Sequence, residues 1–199
     1  MNIIKSDVNL LWITPESECN IEKAARICYK SESKTTDNSH GSFCKMLIER
    51  DHKAMLEHSV ASFKFICSRG TANELVRHRL ASYAQTSTRY VNYKEGIDVI
   101  EPPNMVGISR AYWESACAYA ENSYSNMINQ GCKPEIARSV LPLCLATEII
   151  MTANFRELLH IIKLRTSKFA HPEIKEIIVK MNNILNWYAP NIFTKMEEK

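Results

Sequence analysis

Glycine is scarce in this sequence, with five residues in 199. None forms a G-x-G-x-x-G, so a Rossmann-type cofactor site is not supported, and any dinucleotide would have to be held by side chains. No C-x-x-C occurs either, and the seven cysteines, at 19, 28, 44, 67, 117, 132 and 144, are odd in number. That argues against a disulfide framework and against a zinc site of standard spacing, and it fits reduced thiols in a cytoplasm. No apolar run reaches the roughly 18 residues that suggest a membrane span. The opening stretch MNIIKSDVNLLWITP has no long apolar segment and no small-residue cleavage site, so it is expected to belong to the mature protein. A charge excess is missing too. The 25 Lys and Arg against 22 Asp and Glu leave a net +3, too little to argue for nucleic acid by itself.

What is present suits an ordinary globular chain, 45% hydrophobic and 24% charged, and long enough to bury a core as one domain. No repeat or linker divides residues 1–199. Residues 2–13 read as one or two strands, 20–29 as a helix, 31–42 as a loop and 43–50 as a short helix. A strand is expected at 60–67. Thr71 and Glu74 have capping-box spacing for a helix that ends in Arg77-His78-Arg79. Residues 94–107 read as irregular. The longest helix is expected over 109–129, with Trp113, Cys117, Ala120, Tyr124 and Ile128 as a core or subunit-contact stripe. Pro134 opens a helix that Pro142 ends. A strand at 145–153 leads to Asn154, an N-cap with Glu157 three residues on, for a helix to about Arg165. That helix is apolar almost all round and so reads as buried, with Arg156, His160 and Lys163 as a cationic stripe that would need partners. A last helix runs to about Trp187, and 194–199 read as frayed.

Two segments carry chemistry. The first is Arg77-His78-Arg79 followed by Ser82, Gln85, Thr86, Ser87, Thr88 and Arg89. Hydroxyls and an amide between arginines suit an anion that carries a polar heterocycle. Consecutive helical side chains point about 100° apart, so Arg77, His78 and Arg79 must reach different partners or different parts of one large ligand. The second is His52-Lys53-Ala54-Met55-Leu56-Glu57-His58 at the start of a strand. It can be read as a metal site short of a third ligand, or as a hydrogen-bonded turn.

Arg77-His78-Arg79, seven residues, then Ser87-Thr88-Arg89 resembles the signature of the flavin-dependent thymidylate synthases. Three further stretches agree: His52 to His58, where Ala54 replaces a usual Ser or Thr; Pro134-Glu135-Ile136-Ala137-Arg138 with Leu141-Pro142; and Asn154, Arg156, His160 and Arg165. The resemblance implies an α+β fold, a mainly antiparallel sheet flanked by helices, assembled as a homotetramer whose sites are shared between subunits. It implies methylation of dUMP to dTMP, with methylenetetrahydrofolate as carbon donor, NADPH as reductant and FAD between them. The residues matched to dUMP are Glu74, Arg77, Gln85, Thr86, Ser87, Thr88, Arg89, Arg138 and Arg165, with Arg165 as the catalytic group facing the pyrimidine. Those matched to FAD are His52, Ala54, Arg77, His78, Arg79, Gln85, Asn154, Arg156 and His160. No metal, nucleic acid or membrane is expected.

Two other readings compete. A nucleic-acid or nucleotide-binding protein could use the 77–89 segment, but its cations are not gathered with exposed aromatics. A helical metallohydrolase could use His52 and His58, but lacks ligands.

Overall fold

The computed structural model describes residues 1–197. Strands β1 (Asn2–Ile4) and β2 (Asp7–Ile13) precede helices α1 (Ser17–Ile27) and α2 (Ser39–Glu49). A short 3-10 helix, Lys53–His58, leads into β3 (Val60–Ser68), α3 (Arg69–Leu75) and β4 (Ala81–Gln85). Strand β5 (Asp98–Ile100), helices α4 (Gly107–Asn129) and α5 (Pro134–Ala137), strand β6 (Ala146–Asn154), and helices α6 (Phe155–Arg165) and α7 (Pro172–Tyr188) complete the order. Four strands pair in the order β2-β3-β6-β4. Phe155 N donates to Ser59 O at one end of the β3–β6 pair and Arg69 N to Leu145 O at the other. Partner numbers fall on one strand as they rise on the other, so the pair is antiparallel. The expected class, helices with a mainly antiparallel sheet, is what the chain adopts. Among the described residues no helix is long and apolar enough to cross a membrane.

The chain groups into two compact units, each built from discontinuous segments. The first holds Met1–Asp7, Phe65–Arg77 and Ala84–Ile149. Its core gathers Ile97, Val99, Cys117 and Leu145, with Trp113 and Leu141 packed against them. The stretch expected to be irregular supplies β5, which pairs in parallel with β1, Ile3 opposite Val99. Three residues are too short to show a period, so only the pairing reveals them. On α4 the expected stripe is deepest at Cys117 and Tyr124. Tyr124 accepts from Tyr93 N at 3.2 Å, which gives its buried hydroxyl a partner.

The second unit holds Val8–Lys64, His78–Tyr83 and the chain from Ile150 on. Ile21, Phe155, Leu158, Ile161, Ile177 and Met181 are fully buried there. The expected loop over 31–42 is shorter than the sequence suggested, because α2 already begins at Ser39 and Gly41 lies inside it. A Cβ on Gly41 would meet Asn191 Nδ2 at 3.1 Å, so this glycine serves close packing rather than a turn. Asn191 in turn donates from its backbone and side chain to the buried Glu18, at 2.8 and 2.7 Å. The tail is not frayed through 196: Asn182 and Asn183 of α7 donate to the carbonyls of Thr194 and Met196. Residues 198–199 lie outside the described residues.

Two local expectations change. The N-cap of α3 is Ser68, which accepts from Thr71 N at 3.1 Å. Thr71 is therefore inside the helix and forms no capping box with Glu74. Helix α3 ends at Leu75, so Arg77, His78 and Arg79 sit in the turn beyond it rather than in its last helical turn.

Candidate active site

In the first unit the turn after β4 gathers part of the predicted anion site. Arg138 Nη1 donates to Thr88 Oγ1 at 3.3 Å. Arg89 N donates to Ser87 Oγ at 3.3 Å, and Tyr90 N and Val91 N both donate to Ser87 O. Ser87, Thr88, Arg89 and Arg138 thus form one group of donors and hydroxyls. Glu135 holds the Arg89 guanidinium at 3.1 Å, an exposed pair that an incoming anion could displace at small cost. Thr86 plays another part. Its N and Oγ1 both donate to Glu148 O, and its own carbonyl accepts from Arg69 at 3.2 Å. It fastens the turn to the sheet. Gln85 Nε2 donates to Thr147 Oγ1 at 3.3 Å. Glu74 is half-buried and Arg77 exposed. Arg69 and Glu135 were not foreseen, because their partners lie far along the chain.

In the second unit the centre is His78. Of the Arg77-His78-Arg79 triplet it alone is buried, at 6% exposure, so the triplet does divide its side chains among different surroundings. Arg165 Nε donates to His78 Nε2 at 2.9 Å. Burial, with the Arg165 guanidinium and His160 beside it, pushes His78 down to about 4. The ring is therefore neutral near pH 7. Tyr83 donates its hydroxyl to His78 O at 3.1 Å, and burial pushes that phenol up to about 12. Glu157, also buried, has Oε1 3.8 Å from His78 Nδ1. Burial raises its carboxyl, opposed by His160.

Helix α6 delivers these groups. Asn154 is its N-cap, as expected, and accepts from Glu157 N at 2.9 Å. The helix is amphipathic rather than buried all round: Phe155, Leu158, Ile161 and Ile162 face inward, while Arg156, His160 and Lys163 are exposed. The cationic stripe therefore stays hydrated and needs no internal carboxylates. Arg156 pairs with Glu57 at 2.6 Å on the 53–58 turn, where both are half in solvent.

A cavity of about 630 Å³ opens in the same unit. Arg26, Lys34, Arg50 and His52 line it together with Tyr29, Phe43, Met46 and Ala54. Arg26 is fixed by Glu22 at 2.6 Å and lies over the Phe43 ring at 4.7 Å. Cations around apolar and aromatic walls fit an anionic ligand with a flat ring. His52 and Ala54, two predicted flavin residues, are on this wall.

Among the described residues, one group could hold a metal ion: His78, Glu157 and His160, with ligand atoms within 4.8 Å of one another. His52 and His58 belong to no such group. The lone pair of His78 Nε2 already accepts from the cationic Arg165, which opposes a metal at that nitrogen.

The fold is shared with a solved UMP/dUMP methylase, PolB from Streptomyces cacaoi bound with 5-Br dUMP. The TM-score is 0.83 at 23% identity, over 96% of this chain and 95% of that one. A family model described as thymidylate synthase complementing protein matches residues 9–191. The flavin-dependent thymidylate synthase of Geobacter sulfurreducens is 35% identical over 198 residues, 94% of this chain and 84% of that protein. That of Mycobacterium tuberculosis is 31% identical, over 89% of this chain and 78% of its own length. The chain belongs to the flavin-dependent thymidylate synthase family, whose members are methyltransferases.

Proposed function

We propose that this protein converts dUMP to dTMP by reductive methylation, with methylenetetrahydrofolate as carbon donor, NADPH as reductant and FAD as bound cofactor. It acts as a single catalytic domain in a cytoplasmic homotetramer whose active sites are shared between subunits. The observation that carries this reading is the Arg165–His78 pair. A guanidinium held through Nε by a neutral imidazole keeps its planar geometry and its full charge. Facing a pyrimidine carbonyl and N3, it stabilises negative charge that develops on the ring and makes C5 more nucleophilic.

Ser87, Thr88, Arg89 and Arg138 bind the nucleotide phosphate through charge-assisted hydrogen bonds, with Glu135 released from Arg89 as the anion enters. Glu74, Arg77 and Gln85 complete the nucleotide set. Ser87 binds and does not attack: its Oγ accepts from Arg89 N, and among the described residues no imidazole or carboxylate is hydrogen-bonded to it to serve as base.

The donor set also fits FAD. The cavity lined by Arg26, Arg50, His52 and Ala54 suits a phosphate-bearing, ring-bearing ligand, and Arg79, Asn154, Arg156 and His160 of the same unit are assigned to orient its ring, with His78 acting through Arg165. When bound, FAD supplies the redox chemistry, and the protein supplies placement and field. The usual hydroxyl at position 54 is replaced by Ala54, so any contact at that point comes from the backbone or water.

The test is tritium release from dUMP labelled at C5, with FAD, NADPH and the folate each omitted in turn. Release that needs FAD and the folate, with dTMP formed, supports the reading. Protein that binds FAD and dUMP yet releases nothing overturns it.

A further inference from the structure

We infer that Glu157 is a positioning residue for Arg165, acting through His78: its buried carboxylate keeps the His78 proton on Nδ1 and so leaves Nε2 as the acceptor that holds the guanidinium. The inference rests on the reading of Arg165 given above. Arginine has donors only. Its Nε lies 2.9 Å from His78 Nε2, so that nitrogen must present a lone pair. A neutral His78 then carries its proton on Nδ1, the nitrogen that faces Glu157 Oε1 at 3.8 Å. That distance is longer than a hydrogen bond. It is a charge–dipole contact between two groups at 5% and 6% exposure, where little water screens it. The opposite tautomer would set two N–H donors against each other at Arg165 and turn a lone pair toward the carboxylate. Both neighbours therefore select the same proton position, while His160 stands edge-on to the ring with centroids 6.1 Å apart.

The helix itself does not need this carboxylate. The cap of α6 uses the backbone N–H of Glu157, bonded to Asn154 Oδ1. An apolar side chain would be buried there with less desolvation. The role assigned to Glu157 thus lies in the site and not in the fold.

The experiment compares ligand-free wild type, Glu157→Gln and Glu157→Leu by imidazole nitrogen NMR, and then by steady-state kinetics with dUMP. Wild type is expected to show His78 protonated on Nδ1. Without the carboxylate Nε2 is a weaker acceptor, so in the Leu variant Arg165 should let go of the ring and a major Nε2-protonated population should appear, with kcat down by about tenfold to about a hundredfold and KM for dUMP changed by less than about threefold. The Gln variant, whose amide oxygen still turns a negative dipole toward the Nδ1 proton, should recover part of the rate. A Leu variant that keeps the Nδ1 tautomer and the wild-type kcat overturns the inference. If Leu does not fold, Glu157→Ala is read by the same criteria. If wild type itself does not turn over dUMP, the functional reading fails, and the tautomer measurement alone decides. Loss of the Nδ1 form in the variant supports the role of Glu157, and its retention refutes it.

Discussion

Asn154 is placed to do two separable things. Its Oδ1 accepts from Glu157 N at 2.9 Å and caps an 11-residue helix. Its amide N–H group is left to reach the flavin in the function proposed above. Replacement by Ala removes the cap and leaves a partly buried N–H without its acceptor. The expected loss is about 1–2 kcal/mol. For a chain of this size each kcal/mol moves Tm by roughly 2–4 °C, so a drop of about 2–8 °C should follow. Asn154→Asp behaves differently. A carboxylate still caps the helix, and its charge suits the positive end of the helix dipole by about 0.3–1 kcal/mol. Its Tm should match or exceed wild type. In flavin binding the two variants should agree, because both lack the amide donor and Asp adds like charge against an anionic cofactor. Each should bind FAD about tenfold or more weakly. Unfolding is followed by circular dichroism on flavin-free protein, since bound ligand would stabilise by mass action. Affinity is read from flavin fluorescence. An Ala variant with wild-type Tm would refute the cap. An Asp variant with wild-type affinity would remove Asn154 from the flavin set.

Arg165→Lys should lower single-turnover rate by about a hundredfold while changing dUMP affinity by less than about tenfold, because a point charge lacks the planar two-contact geometry. Equal losses would mean that Arg165 only binds. Ser87→Ala should weaken dUMP binding by roughly tenfold to a hundredfold, the worth of about one hydrogen bond to a charged group, with turnover still measurable. Complete loss of chemistry with dUMP bound would overturn its assignment as a binding residue. Stability should fall as pH drops from 6.5 toward about 4, because unfolded His78 takes up a proton that the buried ring refuses. The slope from this group is at most about 1.4 kcal/mol per pH unit. Glu157, whose carboxyl is raised, works in the opposite direction by gaining its proton earlier in the folded state. Urea midpoints at pH 7 and pH 5 check the sign, and a His78→Gln variant that keeps the same slope would assign it elsewhere.

Several features were legible because they obey local rules. Helices α1, α4, α6 and α7 announce themselves through apolar spacing, and Asn154 through its cap position and Glu157 three residues on. The spacing of Arg77, His78, Ser87 and Arg89 carried the family, which the matches over residues 9–191 show. Other features were not legible, and for a shared reason. Strand β5 exists only because β1 lies beside it. Gly41 lies inside α2, and the Asn191 side chain that closes on it comes from far along the chain. Ser68, not Thr71, caps α3 because the helix begins at Arg69, directly after β3, with no turn between them.

The sequence by itself determined the class of protein, most helices, and which residue types the site would use, since each depends on neighbours within a few positions. Only the tertiary structure decided how those residues are used: His78 buried and neutral against Arg165, Glu157 turned toward that imidazole, and Arg156 with His160 left in solvent. Burial and donor–acceptor pairing are set by strand register and helix packing between distant segments, and no short window of sequence contains them.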